Sequence, residues 1–246
     1  MYFFFNEVIK IRISNLLIVL ILVILQPAFS FAGEKEEAMG MQIYLRYCAQ
    51  CHGEKGMGDG PNVKAADMDP VPRDLCDIEK PYMKNKDNNY LIKAIAFGGL
   101  GIDKSQFMPR FSDTLSEYEL FTLVAFLRTL HKHNALPLDF STVKNEKRKV
   151  VVGKINVKPG KVSRREAMIG RKIYGKYGCL GCHSIDNRGG ISGGSLTAVG
   201  KKLDAQTIWQ IIKAPSSVNS KSRMPAFDIN EEAGELLVKY LMSLKG

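Results

Sequence analysis

The sequence is poor in aromatic residues and in cysteine. One Trp and an aromatic content of 9% give no sign of the base-stacking surface that single-stranded nucleic acid requires. Five cysteines are too few for a fold stapled by disulfides. Apolar residues make up 45% of the 246 positions and charged residues 24%, close to the globular average. A wholly disordered chain and a multi-span membrane protein are therefore excluded.

The first 32 residues have the pattern of an export signal. Lys10 and Arg12 precede an apolar run from Leu16 to Leu25, and Ser30-Phe31-Ala32 is a small-x-small cleavage site. An uncleaved anchor is the alternative, although a comfortable transmembrane helix needs ~20 apolar residues. We predict that residues 1–32 are a signal peptide or N-terminal anchor. The remaining chain is then periplasmic or in another extracytoplasmic compartment, and any membrane association runs through this segment.

Charge divides the rest of the chain into three parts. Residues 33–135 contain 13 basic and 15 acidic residues, residues 136–165 contain 9 and 2, and residues 166–246 contain 11 and 7. The middle part reads as a basic linker between two domains, since it also contains Pro137, Pro159 and Gly160. Residues 150–152 and 155–157 are predicted to pair as a short hairpin inside it.

The two domains repeat one another, which indicates duplication. Each contains, in the same order, a Gly-x-x-x-Tyr step, a Cys-x-x-Cys-His motif, a Met-Pro-x-Phe motif and a final apolar stretch of helical periodicity. In the first domain these are Gly40–Tyr44, Cys48–His52, Met108–Phe111 and Val124–Leu130; in the second they are Gly170–Tyr174, Cys179–His183, Met224–Phe227 and Val238–Leu244.

The coarse structure is predicted to be all-α. Apolar residues recur at steps of three and four, and the Gly-rich stretches Gly53–Gly60 and Gly189–Gly194 read as loops. The predicted helices cover residues 36–47, 89–96, 116–131, 165–177, 204–213 and 231–244. Each domain is small for a core built from side chains alone, so a large apolar prosthetic group would help to fill it.

Cys-x-x-Cys-His is the attachment signature of a c-type haem. The two thiols form thioether bonds with the haem vinyl groups, and the adjacent His becomes the proximal iron ligand. The motif therefore predicts covalent bonds at Cys48 and Cys51 for one haem c, at Cys179 and Cys182 for a second, and iron ligation by His52 and His183. The rival sites are a zinc centre, which needs four Cys or His ligands, and a redox disulfide, which needs a βαβ context.

The ligand at the sixth position of each iron distinguishes an electron carrier from an enzyme. A Met thioether leaves no open coordination site and gives the iron a high reduction potential. Met108 and Met224 are the predicted ligands, since each begins a Met-Pro-x-Phe motif at the same place in its repeat. Met is also a common apolar gap-filler, and the chain has ten. The parallel placement distinguishes these two from the others.

Residues 36–132 and 166–246 each resemble a class I cytochrome c domain, and together they resemble the exported two-haem members of that class. The resemblance implies small helical bundles, each around one haem, whose first and last helices cross beside it. Gly40, Tyr44 and Phe126, and in the second domain Gly170, Tyr174 and Tyr240, match that crossing. It also implies haem-pocket roles for Tyr44, Tyr174 and Trp209, and a contact of Arg73 with a haem propionate.

Three residues keep another function open. Cys76 is the unpaired thiol, and some dihaem enzymes that act on sulfur compounds use a Cys thiolate as distal ligand; a small buried residue is the plainer interpretation. His131 and His133 are the other two histidines and follow a helix end, where a cation suits the dipole.

The resulting hypothesis is a dihaem electron carrier without enzymatic activity that passes single electrons between redox partner proteins, among them a membrane respiratory complex. Lys201, Lys202 and Lys213 are candidates for steering an acidic partner. The alternative is a dihaem enzyme, of peroxidase type or oxidising sulfur compounds, with an open or displaceable distal site. A third hypothesis is a structural or sensory subunit held by an uncleaved N-terminus.

Overall fold

The structure is a computed structural model that describes residues 29–77, 81–131, 138–146, 151–157 and 162–246, with side chains from residue 33 onwards. The predictions for residues 1–28, for His133, and for Pro137, Pro159 and Gly160 of the linker lie outside the described residues. The chain forms two compact units, Met1–Lys35 and Glu36–Gly246, and the account below concerns the second. Within it, the first half means residues 36–131 and the second half residues 162–246.

Short and medium helices dominate the described chain, as predicted. In chain order the α-helices are α1 (Phe29–Tyr47), α2 (Ala49–His52), α3 (Pro61–Ala65), α4 (Asn88–Phe97), α5 (Glu117–Thr129), α6 (Arg164–Lys176), α7 (Val199–Lys202), α8 (Ala205–Lys213), α9 (Pro215–Val218) and α10 (Glu231–Ser243). Single 3₁₀ turns cover Met83–Asn85, Gly99–Ile102 and Cys179–Gly181.

Three short strands depart from the all-α expectation without changing the fold class. They are β1 (His183–Ile185), β2 (Arg188–Gly189) and β3 (Gly194–Ser195), in the order β2-β1-β3. β1 pairs antiparallel with β2 across Asp186 and Asn187, both at positive φ, and pairs parallel with β3. The sequence pattern missed them because two or three residues are too few to show a period of two.

Each half has its own hydrophobic core. Tyr44, Met83, Leu123 and Val124 are essentially inaccessible at the centre of the first, between α1, α4 and α5. In the second, Trp209, Ile229, Leu237 and Val238 hold the same position between α6, α8 and α10. The paired cores follow the repeat in the sequence.

The first and last helices of each half cross at a glycine, as the resemblance implied. A Cβ at Gly40 would overlap the backbone oxygen of Thr122 in α5, and a Cβ at Gly170 would overlap the backbone oxygen of Leu236 in α10. The neighbouring rings pack across the same crossings, at 5.2 Å between Tyr44 and Phe126. Glycine is required here by the close approach of two backbones.

The linker is ordered where it is described, but not as the predicted hairpin. Residues 151–157 contain no strand; Val152 and Val157 pack on the second core instead, and Ile155 N–H donates to Gln206 Oε1 at 3.1 Å. Further upstream, Phe140 packs edge-on against Tyr118 at 5.5 Å. Burial of the apolar residues against the halves leaves this stretch no strand partner.

Hydrogen bonds cross directly between the halves. Arg46 of α1 donates to the backbone oxygens of Ser220 and Ser222, at 3.1 and 2.6 Å. Thr114 exchanges two hydrogen bonds with the backbone of Ala226, at 3.2 and 2.9 Å. These bonds hold the two cores in one unit. Over the part of the chain that the structure describes, none of the helices is both long and apolar enough to cross a membrane.

The glycine crossing gives a stability prediction. We expect Gly170→Ala to lower the free energy of unfolding by about 1–3 kcal/mol, because the added methyl must separate α6 from α10. The measurement is urea unfolding of the holoprotein followed by circular dichroism. Gly175→Ala in the same helix is the control: its methyl meets only Gln106 Oε1, at 3.8 Å, so it should stabilise by about 0.5–1 kcal/mol. Equal losses in both variants would contradict the close crossing.

Candidate haem site

A single cavity of about 760 Å³ brings both Cys-x-x-Cys-His motifs together, a volume typical of a cofactor pocket. Most of its lining is apolar. Among the predicted covalent and axial residues, those that line it are Cys48, Cys51, His52, Met108, Cys179, Cys182, His183 and Met224. All five cysteines of the chain are described, and all are free thiols.

The first motif is a single helical turn. Cys48 N–H donates to Tyr44 O at 2.8 Å, which continues the path of α1, and His52 N–H donates to Cys48 O at 2.9 Å. Cys51 and His52 are therefore three and four residues after Cys48 on one helical turn, so that the three side chains share a face. This arrangement lets two thiols bond to the edge of a ring while the imidazole reaches the metal at its centre.

The second motif reaches the same result through a different backbone. Cys179 opens a 3₁₀ turn and His183 begins β1. Gly178 precedes the turn in the left-handed region at φ 70°, with the backbone oxygen of Gln106 2.7 Å from the position of a Cβ. Only glycine satisfies both conditions without strain. The first half thus shapes the second motif.

Each motif histidine is oriented by a backbone carbonyl. His52 Nδ1 lies 3.4 Å from Arg73 O, and His183 Nδ1 lies 3.2 Å from Gly194 O. A carbonyl only accepts, so each Nδ1 is the donor and Nε2 retains the lone pair that binds a metal. Burial also lowers the pKa of both imidazoles, which keeps them in the neutral form that a ligand needs.

The motif thiols are held neutral by the apolar cavity. Burial raises the pKa of Cys48 to about 12 and that of Cys51 to about 11. In the second motif it raises the pKa of Cys179 to about 12, and it also raises the pKa of Cys182. An environment that disfavours charge suits a large apolar prosthetic group.

Tyr44 and Tyr174 brace the two motifs from behind. The Tyr44 hydroxyl donates to Gly53 O at 2.5 Å and the Tyr174 hydroxyl donates to His183 O at 3.4 Å, in both cases nine residues along the chain. Burial raises the pKa of both phenols, so they remain donors. Tyr44 also lines the cavity, whereas Tyr174 does not.

The two predicted distal methionines are placed alike. Met108 packs against the first core, with its backbone oxygen accepting from Gly99 N–H at 3.0 Å. Met224 packs against the second core, and its N–H donates to Ser222 Oγ at 3.1 Å. The Phe that follows in each motif packs against the Tyr before the first cysteine, with ring centroids 5.9 Å apart in both halves; the rings are tilted in the first half and edge-on in the second.

A polar rim closes one side of the cavity in the first half. Arg73 lines it, and its guanidinium lies 4.7 Å above the Tyr82 ring. Tyr82 and Tyr90 share a hydrogen bond of 3.0 Å, and burial together with that bond raises the pKa of Tyr82 to about 12. Lys86 adds a second cation 4.4 Å from the Tyr90 ring. The sequence analysis missed both tyrosines, which are absent from the repeat.

Trp209 does not line the cavity, although the resemblance suggested a pocket role. Its ring packs against Gly234 of α10 and is 1% exposed, and its Nε1 finds no hydrogen-bond partner in the described chain. Ile211, two positions along α8, lines the cavity instead. Residues two apart point to opposite sides of a helix, so α8 cannot present both to the same space.

Cys76 and His131, the two described residues that kept an enzymatic site open, lie outside the cavity lining. The Cys76 thiol donates to Lys55 O at 2.8 Å, and burial and Asp74 raise its pKa, which disfavours a thiolate. His131 is buried at the end of α5, with Nε2 3.5 Å from Arg128. Lys213, a candidate steering residue, is 7% exposed and forms an ion pair with Asp228 at 2.8 Å, so it is not available on the surface.

The donor set fits haem c. Each half presents two neutral thiols, an imidazole with a free Nε2 and a thioether to an apolar cavity, and these are the groups that covalent attachment and axial ligation use. Among the described residues, no group of three or more His, Cys, Asp and Glu side chains is arranged to hold a metal ion. The ligand cluster that a zinc site would need is therefore not found in that part of the chain.

Comparisons with known proteins agree with this chemistry. No curated protein matches the chain. A solved structure, the reducing HAO-like protein complex of Kuenenia stuttgartiensis, is 21% identical over 85% of this chain and 96% of its own, with a TM-score of 0.29 that carries no structural argument. The family model of cytochrome c oxidase, cbb3-type, subunit III matches residues 35–127 and 165–241. The chain belongs to this family of cytochrome c domains, which bind haem c covalently and carry electrons.

Proposed function

We propose that the chain is a dihaem c-type cytochrome that relays single electrons between two His/Met-ligated haems and external redox partners. The observation that carries the proposal is the duplicated donor set: Cys48, Cys51, His52 and Met108 line the same cavity as their four counterparts in the second half. The match of the family in two segments supports two domains, at 33–135 and 166–246, joined by the basic linker 136–165.

Bound haem supplies one-electron chemistry, and the chain controls the conditions under which it operates. His52 and His183 are fixed in tautomer by backbone carbonyls. The mostly apolar lining disfavours charge, which raises the cost of the more charged ferric state. Met108 and Met224 are neutral, soft ligands, so they also favour the ferrous state over the ferric state. The proposed electron transfer requires no acid–base work from the side chains that line the cavity.

The two sites sit in unlike electrostatic fields, which favours a relay. Residues 33–135 have 13 basic and 15 acidic residues and so a negative net charge, whereas residues 166–246 have 11 basic and 7 acidic residues and so a positive one. A difference in local charge gives the two haems different reduction potentials, so that the electron has a preferred direction. Lys201 and Lys202 are exposed and form the surface proposed to steer an acidic partner.

Redox proteins outside the cytoplasm, including a membrane respiratory complex, are the proposed partners. The support is the basic and apolar pattern of residues 1–32, which is typical of export, together with the family's description as an oxidase subunit. Placement of Cys76 and His131 away from the cavity lining favours the carrier over a dihaem enzyme.

Haem attachment tests the proposed number of haems. We expect the wild-type protein to carry two covalent haems, measured by intact mass and by the reduced pyridine spectrum of the denatured protein. Replacing Cys48 and Cys51 together by Ala should remove one haem, because the second motif keeps its own thiols, Cys179 and Cys182, and its own histidine. Cys76→Ala is the matched control and should keep both, since its thiol contacts Lys55 and not the cavity. A wild-type chain with one haem would contradict the proposal.

Carbon monoxide tests the distal ligands. We expect no change in the spectrum of the reduced wild-type protein, because Met108 and Met224 close both irons. Met108→Ala and Met224→Ala should each open one site and give the spectral change of one haem. Met242→Leu is the control, since that Met packs against the second core outside the cavity lining. A response of the wild type equal to that of either Ala variant would instead favour the enzymatic alternative.

A further inference from the structure

Asn62 is a completely buried polar side chain that belongs to the first half and binds the second. It lies at the start of α3, directly after Pro61. Its Oδ1 accepts from the backbone N–H groups of Ile191 and Ser192, both at 3.1 Å, and its Nδ2 donates to Ser192 Oγ at 2.8 Å. Both ends of the amide are therefore used across the boundary between the halves.

The same amide lies between the two haem motifs. Asn62 Nδ2 is 3.9 Å from the Sγ of Cys51 and 3.9 Å from the Sγ of Cys182. Two atoms at that distance from one nitrogen are separated by at most twice that distance. The second cysteines of the two motifs are thus neighbours, although they are far apart along the chain.

A second contact extends the effect of Asn62 to the second motif itself. The segment that it holds continues into Gly193, whose N–H donates to Cys182 O at 2.8 Å. A Cβ at Gly193 would lie 2.6 Å from the His183 ring, so this backbone forms one wall beside the imidazole. Movement of residues 191–193 would therefore move the second attachment point and its histidine together.

We propose that Asn62 is a positioning residue that holds the attachment points of the two haems side by side and thereby sets the rate of electron exchange between them. The proposal rests on the two-haem function proposed above. The exchange moves one electron and no proton, with one ferrous iron oxidised as the other, ferric, iron is reduced. Tunnelling weakens exponentially with separation, so a small displacement at Cys51 or Cys182 has a large effect on the rate.

Other contacts hold the two halves together. The effect of Asn62 on the position of the haem attachment points can therefore be tested without separating the halves. Arg46 binds Ser220 and Ser222, and Thr114 binds Ala226, without involving either sulfur. Loss of the Asn62 amide leaves these bonds in place. It removes the acceptor for two backbone N–H groups, which then turn towards water because an unsatisfied donor is costly. The 191–193 segment would move away from Cys51 while the halves remain docked.

The test compares Asn62→Leu with Asn230→Ala, both as holoproteins with their haems counted. Leu keeps the branched shape of Asn62 and removes both hydrogen-bonding ends. Asn230 caps α10 by accepting from Ala233 N–H at 2.9 Å, so its replacement lowers stability without touching the motifs. The readouts are magnetic coupling between the two ferric irons, the exciton signal in haem circular dichroism, and the exchange rate after laser-triggered reduction.

We expect Asn62→Leu to slow the exchange about ten-fold or more and to weaken both spectroscopic couplings, because small misplacements have effects of this order. Asn230→Ala should keep wild-type values. If Asn62→Leu fails to fold, Ser192→Ala, which loses the bond from Asn62 Nδ2 and the contact of its own hydroxyl with Cys182, should give a smaller slowing in the same direction. If the Asn62→Leu protein carries two haems and shows wild-type exchange and unchanged couplings, the proposed role of Asn62 is overturned and the two-haem function still stands. A wild type with one haem would overturn the two-haem function instead.

Discussion

The contacts across the boundary between the two halves are the constraint on which the rest of the structure depends. Cys182 and His183 are reached from the first half through the Asn62 amide and through the backbone of Gln106, against which Gly178 packs. A cavity that contains both motifs exists only while these contacts hold. The repeated cores provide stability, but the boundary between them gives the two motifs a shared environment.

Each site depends on both local structure and tertiary contacts. A turn of backbone aligns the thiols and the imidazole, and a tyrosine nine residues upstream holds that turn from behind. The imidazole is then fixed by a carbonyl from another segment, Arg73 O for His52 and Gly194 O for His183. The second motif replaces the helical turn with a 3₁₀ turn and a strand, which shows that the donor geometry can be reached by more than one backbone.

Several expectations from the sequence changed once side chains had neighbours. Trp209 turns into the core because α8 can present only one face to the cavity, and Ile211 takes that face. Lys213 is buried against Asp228, although its sequence context resembles that of a surface lysine. The apolar residues of the linker pack against the second core and form no hairpin. In each case a contact with a residue distant in the sequence decided where the side chain or segment packs, and the sequence pattern does not reveal such a contact.

The helices, the duplicated motifs and the class of cofactor could be predicted from the sequence, because they depend on periodicity and on spacings of three and four residues. Gly40 and Gly170 were also readable, since both copies of the repeat place a glycine at the crossing. The polar groups that meet across the halves could be identified only from the folded chain. Asn62 has no counterpart in the repeat, and its partners Ile191 and Ser192 are distant in the chain. Contacts of this kind are set by how two cores dock, which local sequence does not encode.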